Sequence, residues 1–308
     1  MQHVDNKQRI YQKFIQNNDI IIQNVNTTVD MSCVNQQNLQ NAIFKNCKDI
    51  IFYNAPESLK HIKIKRSAIN SLDGIQQLSQ LESFEIDQNP EICLNPLVTL
   101  NITKLSLQNM NLSDISMLRF LKKLTSLDLC SNNIFDISML SFLQDLTFLR
   151  LRKNKIQNIS VLSNLTCLKE LIICQNLIYD ALPISSLKLE KLYIWGNYIT
   201  DISCINTTNM GELFVQQNYI PTQQIAKFKQ LSINRSNYQE QRKPSFDLIF
   251  KLHFTRFNRR LKQIYAKQEI NNQQINKDIH SIRSEIYENA MKCNLALQRM
   301  QSESTDSQ

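Results

Sequence analysis

The sequence predicts an α/β solenoid: a curved parallel sheet on the concave face, short helical or 3-10 turns on the convex face, and then a long C-terminal α-helix carrying a coiled-coil seam. Three observations predict it. A unit of 21 or 22 residues recurs through the middle of the chain. Within that unit apolar residues recur at positions 1, 4, 6 and 11, and asparagine recurs at position 9. After Pro244 there is neither proline nor glycine, and apolar residues fall at helical spacing.

The repeat comes first because a fixed period of this length means stacked units, none of which can bury its apolar face alone. Units start at Leu59, Leu81, Ile102, Leu124, Leu146, Leu168, Leu189 and Met210, in steps of 22, 21, 22, 22, 22, 21 and 21 residues. Apolar residues occupy positions 1, 4, 6 and 11, and usually 14, 17 and 20. Positions 4 and 6 alternate with polar neighbours, the mark of a short strand buried on one face. Leu127, Leu129, Leu149, Leu151 and Leu171 are therefore expected in the core. Position 9 is asparagine at Asn89, Asn132, Asn154, Asn176, Asn197 and Asn218. A buried amide there can bond the backbone of its own turn and of the next, forming a ladder. The Asp-Ile-Ser segments from Asp114, Asp136 and Asp201 read as caps for a short helical turn on the outer face. Pro90, Pro96 and Ala181-Leu182-Pro183 interrupt that spacer and predict local irregularities on the convex side.

This pattern resembles the 22-residue class of leucine-rich repeats, which includes the nuclear regulatory subunit of protein phosphatase 1 and the bacterial internalins. The Asp-Ile-Ser-x-Leu spacer is most similar to the internalin version. The resemblance covers roughly Leu59 to Ile225 and implies a fold and a binding role, without naming a partner.

Five segments follow. Residues 1–58 read as an N-terminal cap with degenerate repeats, with strands at Ile20-Ile21-Ile22 and Ile50-Ile51-Phe52 and a helical turn over Tyr11 to Asn17. Residues 59–230 form a solenoid of about eight repeats, 231–267 a C-terminal cap with a basic amphipathic helix, 268–301 a coiled-coil helix, and 302–308 a disordered tail.

In the resembled class, positions 3, 5 and 7 point into the concave surface. Here that rule exposes Phe148, Arg150, Arg152, Ile172, Tyr193, Trp195 and Phe214 on adjacent repeats. Aromatic side chains beside arginine have the composition of an interface hot spot. Cover by a C-terminal segment folding back is the competing reading. Cys130 and Cys174 fall on the same face as two unpaired thiols.

The basicity of the chain, +8 overall, belongs to one segment. Lys227 to Lys267 holds 11 Lys and Arg against Glu240 and Asp247, or +9, which leaves −1 for the rest. Ser245 is placed to cap a helix with Phe246, Phe250 and Phe257 on its apolar side. Farther on, Ile275, Ile279, Ile282, Ile286, Ala290, Cys293, Leu297 and Met300 form a heptad seam with one stutter.

Composition also excludes. Three scattered glycines cannot build a phosphate-cradling loop. No histidine pair has metal-ligand spacing, and the 8 cysteines contain no Cys-x-x-Cys. No apolar signal region follows Met1, and no apolar run approaches the ~18 residues of a membrane span. The expectation is a cytoplasmic or nuclear chain that has no cofactor, metal or small-molecule substrate and is not an enzyme. It should be a scaffold or adaptor that holds a protein on the concave face, with the coiled coil forming a homo-oligomer or taking a partner helix. A protein phosphatase 1-like regulatory subunit is the alternative. RNA or an anionic membrane surface, bound through the basic helix, ranks below protein.

Overall fold

The computed structural model describes residues 14–34, 38–229 and 235–237. The expected long basic helix, the seam from Ile275 to Met300 and the tail lie outside them. A sheet of twelve strands runs through the described residues in the order β1-β2-β4-β6-β7-β8-β9-β10-β11-β12-β13-β14. The first of these are β1 (Ile15–Gln16), β2 (Asp19–Gln23), β4 (Asn41–Lys45), β6 (His61–Lys65), β7 (Ser83–Asp87) and β8 (Lys104–Gln108). They are followed by β9 (Ser126–Asp128), β10 (Phe148–Arg150), β11 (Glu170–Ile172), β12 (Lys191–Tyr193), β13 (Glu212–Phe214) and β14 (Arg235–Asn237). An eight-residue helix α1 (Thr222–Lys229) follows Pro221.

From β2 onward every pairing is parallel, and it joins equal positions of successive repeats: Leu127 to Leu149, Leu149 to Leu171, Leu171 to Leu192 and Leu192 to Leu213. Register is fixed because a one-residue slip would turn every leucine out of the core. All five leucines expected in the core are fully buried. At the eighth position, just past the strand, φ is positive in ten successive repeats, from Asn24 (58°) to Gln217 (54°). Gly196 is the only glycine among them. The turn is imposed by stacking and does not wait for a permissive residue.

The asparagine ladder forms. The Asn154 amide donates to Leu129 O (3.0 Å) in the preceding repeat and to Leu151 O (3.1 Å) in its own, and its Oδ1 accepts from Ile134 N–H (3.0 Å). Asn132, Asn176, Asn197 and Asn218 repeat this pattern.

On the convex side, 3-10 turns span Ser116–Phe120, Ser138–Phe142 and Ser160–Asn164. Asp114 and Asp136 each accept the N–H of the serine two residues on, at 2.8 Å. They lie one residue before the capping isoleucines, Ile115 and Ile137, which are buried. Each carboxylate thus makes an Asx turn that leads into the helix and is not itself the N-cap. Asp201 makes the same turn to Ser203 at 2.9 Å. The proline-bearing repeats carry shorter 3-10 turns, Asn95–Leu97 and Leu182–Ile184.

The N-terminal region departs from the sequence reading in two places. Residues 15–16 are a strand antiparallel to β2, closed by Asn17 and Asn18 with φ of 50° and 69°. Positive φ at both turn residues is what a tight hairpin needs, and asparagine tolerates it. This displaces the helical turn expected there; residues 11–13 lie outside the described part. Asp49–Ile51 is a strand, β5, but it pairs with β3 (Thr28–Asp30) in a separate two-stranded sheet. The main-sheet strand of that repeat is β4, whose Ala42 and Phe44 are fully buried.

Candidate functional site

The concave floor is built from positions 3, 5 and 7 of each strand, and its two ends differ in chemistry. Toward the N-terminus it is ionic. Lys63 and Lys65 both reach the carboxylate of Glu85, Lys65 at 3.4 Å. Asp128 is nearly buried and fully occupied: it accepts from Gln108 Nε2 (2.9 Å) and Cys130 N–H (3.0 Å), and pairs with Arg150 Nη1 (3.1 Å). A buried carboxylate persists only with such partners.

Toward the C-terminus the floor is aromatic and apolar. The strand register sets Arg150, Ile172, Tyr193 and Phe214 side by side in one row across β10 to β13. The Tyr193 and Phe214 rings stack 4.7 Å apart, nearly parallel at 5°. The Tyr193 hydroxyl donates to the carboxylate of Glu212. One row over, the Arg152 guanidinium lies 5.2 Å from the Trp195 ring centroid, and its Nε donates to Gln175 Oε1 at 3.0 Å. Phe148 lies opposite Ser126 and Glu170 on the third row. All seven residues singled out in the sequence are thus on one face and close together, and each is half-buried.

Cys130 and Cys174 are not open to the floor. They are 6% and 1% exposed. The row that holds them also carries the longer Arg152 and Trp195, and small thiols sink between such neighbours. Burial pushes both thiols up to about 12, from 9.0. Among the described residues seven cysteines are free, and only Cys93 and Cys167 are exposed. No cluster among the described residues could hold a metal ion, and none of their helices is long and apolar enough to cross a membrane.

Two features escaped the sequence reading. Tyr179, Tyr198 and Tyr219 stack along one flank, with ring centroids 5.1 and 6.0 Å apart. Tyr198 and Tyr219 share the tenth position of adjacent repeats, a recurrence that was visible. On the back, Phe120, Phe135 and Phe142 are 54%, 64% and 47% exposed. Phe120 and Phe142 share one position of the spacer, where the repeat pattern assigns no side chain to core or floor.

A one-way parallel sheet in unbroken register, an internal asparagine ladder and 3-10 turns on the back define a leucine-rich-repeat solenoid. The chain belongs to the leucine-rich-repeat proteins. It is similar to internalin C2 of Listeria monocytogenes, with 32% identity over 59% of this chain and 81% of that one, and a TM-score of 0.55. A second Listeria monocytogenes internalin, inlF, is 24% identical over 69% of this chain and 72% of its own, with a TM-score of 0.60. The leucine-rich-repeat ectodomain of an Arabidopsis thaliana membrane receptor kinase, solved in complex with Casparian strip integrity factor 2, is 18% identical. It covers 76% of this chain and 34% of its own, with a TM-score of 0.54. The last two likenesses speak for the fold alone. No family model matches the sequence, and neither does any curated protein.

Proposed function

We propose that this protein is a non-catalytic interaction scaffold or adaptor that holds a protein partner on the C-terminal half of its concave face. The observation that carries the reading is the convergence of Tyr193, Phe214, Trp195 and Ile172 with two arginines on one half-buried surface. Large rings with few rotatable bonds give up little entropy on binding, and arginine beside them adds directional hydrogen bonds; alanine scans find such groups carrying most of an interface's energy. The heptad pattern from Ile275 to Met300 offers a second attachment point, as an adaptor needs.

The test is a double substitution. A partner is first isolated with the wild-type chain, and Trp195→Ala with Tyr193→Ala is then tried against it. Binding should be lost while the melting temperature moves little, because both rings lie outside the leucine core. Unchanged binding would move the site elsewhere on the solenoid.

A further inference from the structure

We infer that the concave site is selective for an acidic segment of its protein partner, in which a carboxylate stands close to an apolar anchor. This rests on the binding reading above and specifies the ligand of that same site.

The argument starts from charge. The Arg150 guanidinium has its counter-ion, Asp128, at 3.1 Å. Glu170 is paired with Lys191 at 2.9 Å, and the Glu212 carboxylate accepts from Tyr193. Arg152 differs. Its Nε is held by the neutral Gln175 carbonyl and its guanidinium carbon lies 5.2 Å from the Trp195 ring centroid, and among the described residues no carboxylate reaches it. A cation in this state is positioned and unneutralised. Two contacts fix the guanidinium and leave its Nη donors to bond a carboxylate in the fork geometry that arginine favours. The half-buried setting strengthens that bond over one made in open water.

Spacing then restricts the ligand. Arg152 follows β10, whereas Tyr193 and Trp195 belong to the repeat of β12, two strands away. Arg152 nevertheless reaches across β11, since its guanidinium lies 5.2 Å from the Trp195 ring centroid. Cation and rings are therefore adjacent at their tips, and the segment sets its apolar anchor over the Tyr193 and Phe214 rings with its carboxylate close by on Arg152.

The experiment uses the full chain and fluorescein-labelled eight-residue peptides, each with one Leu or Phe anchor and one Glu placed one to five residues away. Fluorescence anisotropy reads binding. The peptides that hold Glu near the anchor should bind best, and their Glu→Gln counterparts about tenfold more weakly. That ratio should shrink as salt rises. Arg152→Gln should abolish the Glu-over-Gln preference yet keep weak apolar binding, Arg152→Lys should retain part of it, and Lys155→Gln, off the floor, should leave it intact. Equal binding of Glu and Gln peptides by the wild type, or a preference that survives Arg152→Gln, overturns the charge selectivity and leaves the aromatic site standing. If no peptide binds at millimolar concentration and Trp195 is shielded from a water-soluble quencher, a segment of the same chain occupies the floor, and both proposals fall. If none binds while Trp195 is accessible, the acidic-segment proposal alone is wrong.

Discussion

From the repeat at Leu124 onward, a buried asparagine stands at the ninth position of each unit; in the three units nearest the N-terminus that position holds Val25, Cys47 and Ser67. The amide of Asn154 makes three bonds to backbone across two repeats at 3.0–3.1 Å. Ser67 manages one donated bond, to Lys65 O at 3.0 Å, and one accepted, from Cys47 N–H at 3.1 Å. The Cys47 thiol has only long contacts, 3.7 and 3.6 Å, to Ile22 O and Lys45 O. Yet Ile62 and Ile64 are as buried as Leu149 and Leu151. The apolar skeleton is therefore what makes the solenoid, and the amide is a reinforcement that the units from Leu124 onward all have and the first three do without. The floors divide in the same place. The N-terminal half spends its side chains on ion pairs, those of Lys63 and Lys65 with Glu85 and that of Arg150 with the nearly buried Asp128, while the C-terminal half presents rings.

If the skeleton is common to both halves, large-to-small changes should cost the same in each. Leu149→Ala and Ile64→Ala should both lose about 2–5 kcal/mol, read from denaturant or thermal melts. A melt untouched by Leu149→Ala would break the register. The ninth position should separate the halves instead. Asn154→Ala strands the buried Ile134 N–H and leaves Leu129 O and Leu151 O with one amide donor each, from Asn132 and Asn176, and should cost about 1–3 kcal/mol. Ser67→Ala should cost about 1 kcal/mol. Equal costs would deny the amide its special part.

The smallest effect concerns the thiols. Cys130 and Cys174, held near 12 by burial, stay protonated in the fold well above 9.0, the value of an open thiol. Since the folded value lies above the unfolded one, the stability these groups lend is whole below about pH 9 and is lost as pH climbs toward 12. With a thiol reagent at pH 8, Cys93 and Cys167 should react first, and Cys130 and Cys174 only as fast as the chain opens. Prompt labelling of Cys174 would mean a looser floor.

Much of this was legible because it depends on period. Leucines at positions 4 and 6, and asparagine at 9, fix strand, face and neighbour together, so the seven floor residues could be placed before any coordinates. The repeats at residues 17 and 39 were read only as degenerate ones within a cap, because Ala42, Cys47 and Val25 stand where leucine and asparagine mark the pattern, although Ile20, Ile22 and Phe44 keep the spacing. The hairpin at Asn17-Asn18 was read as helix since neither residue announces its positive φ. Burial of Cys130 and Cys174 depends on the reach of side chains in adjacent repeats, which spacing along one repeat does not encode. Likewise, the pairing of Arg152 with Trp195 and Gln175 joins residues 43 and 23 places apart in the chain.

The claim that the C-terminal floor is an open binding face is tested most directly by Trp195, the chain's single tryptophan. Acrylamide quenching of its fluorescence in the full-length free protein should give an intermediate constant, between that of free tryptophan and that of a buried ring, because the indole has Arg152 over it and is half-buried. The constant should fall when the partner binds. A ring already fully shielded in the free protein would show that the floor is covered from within, and would contradict the account.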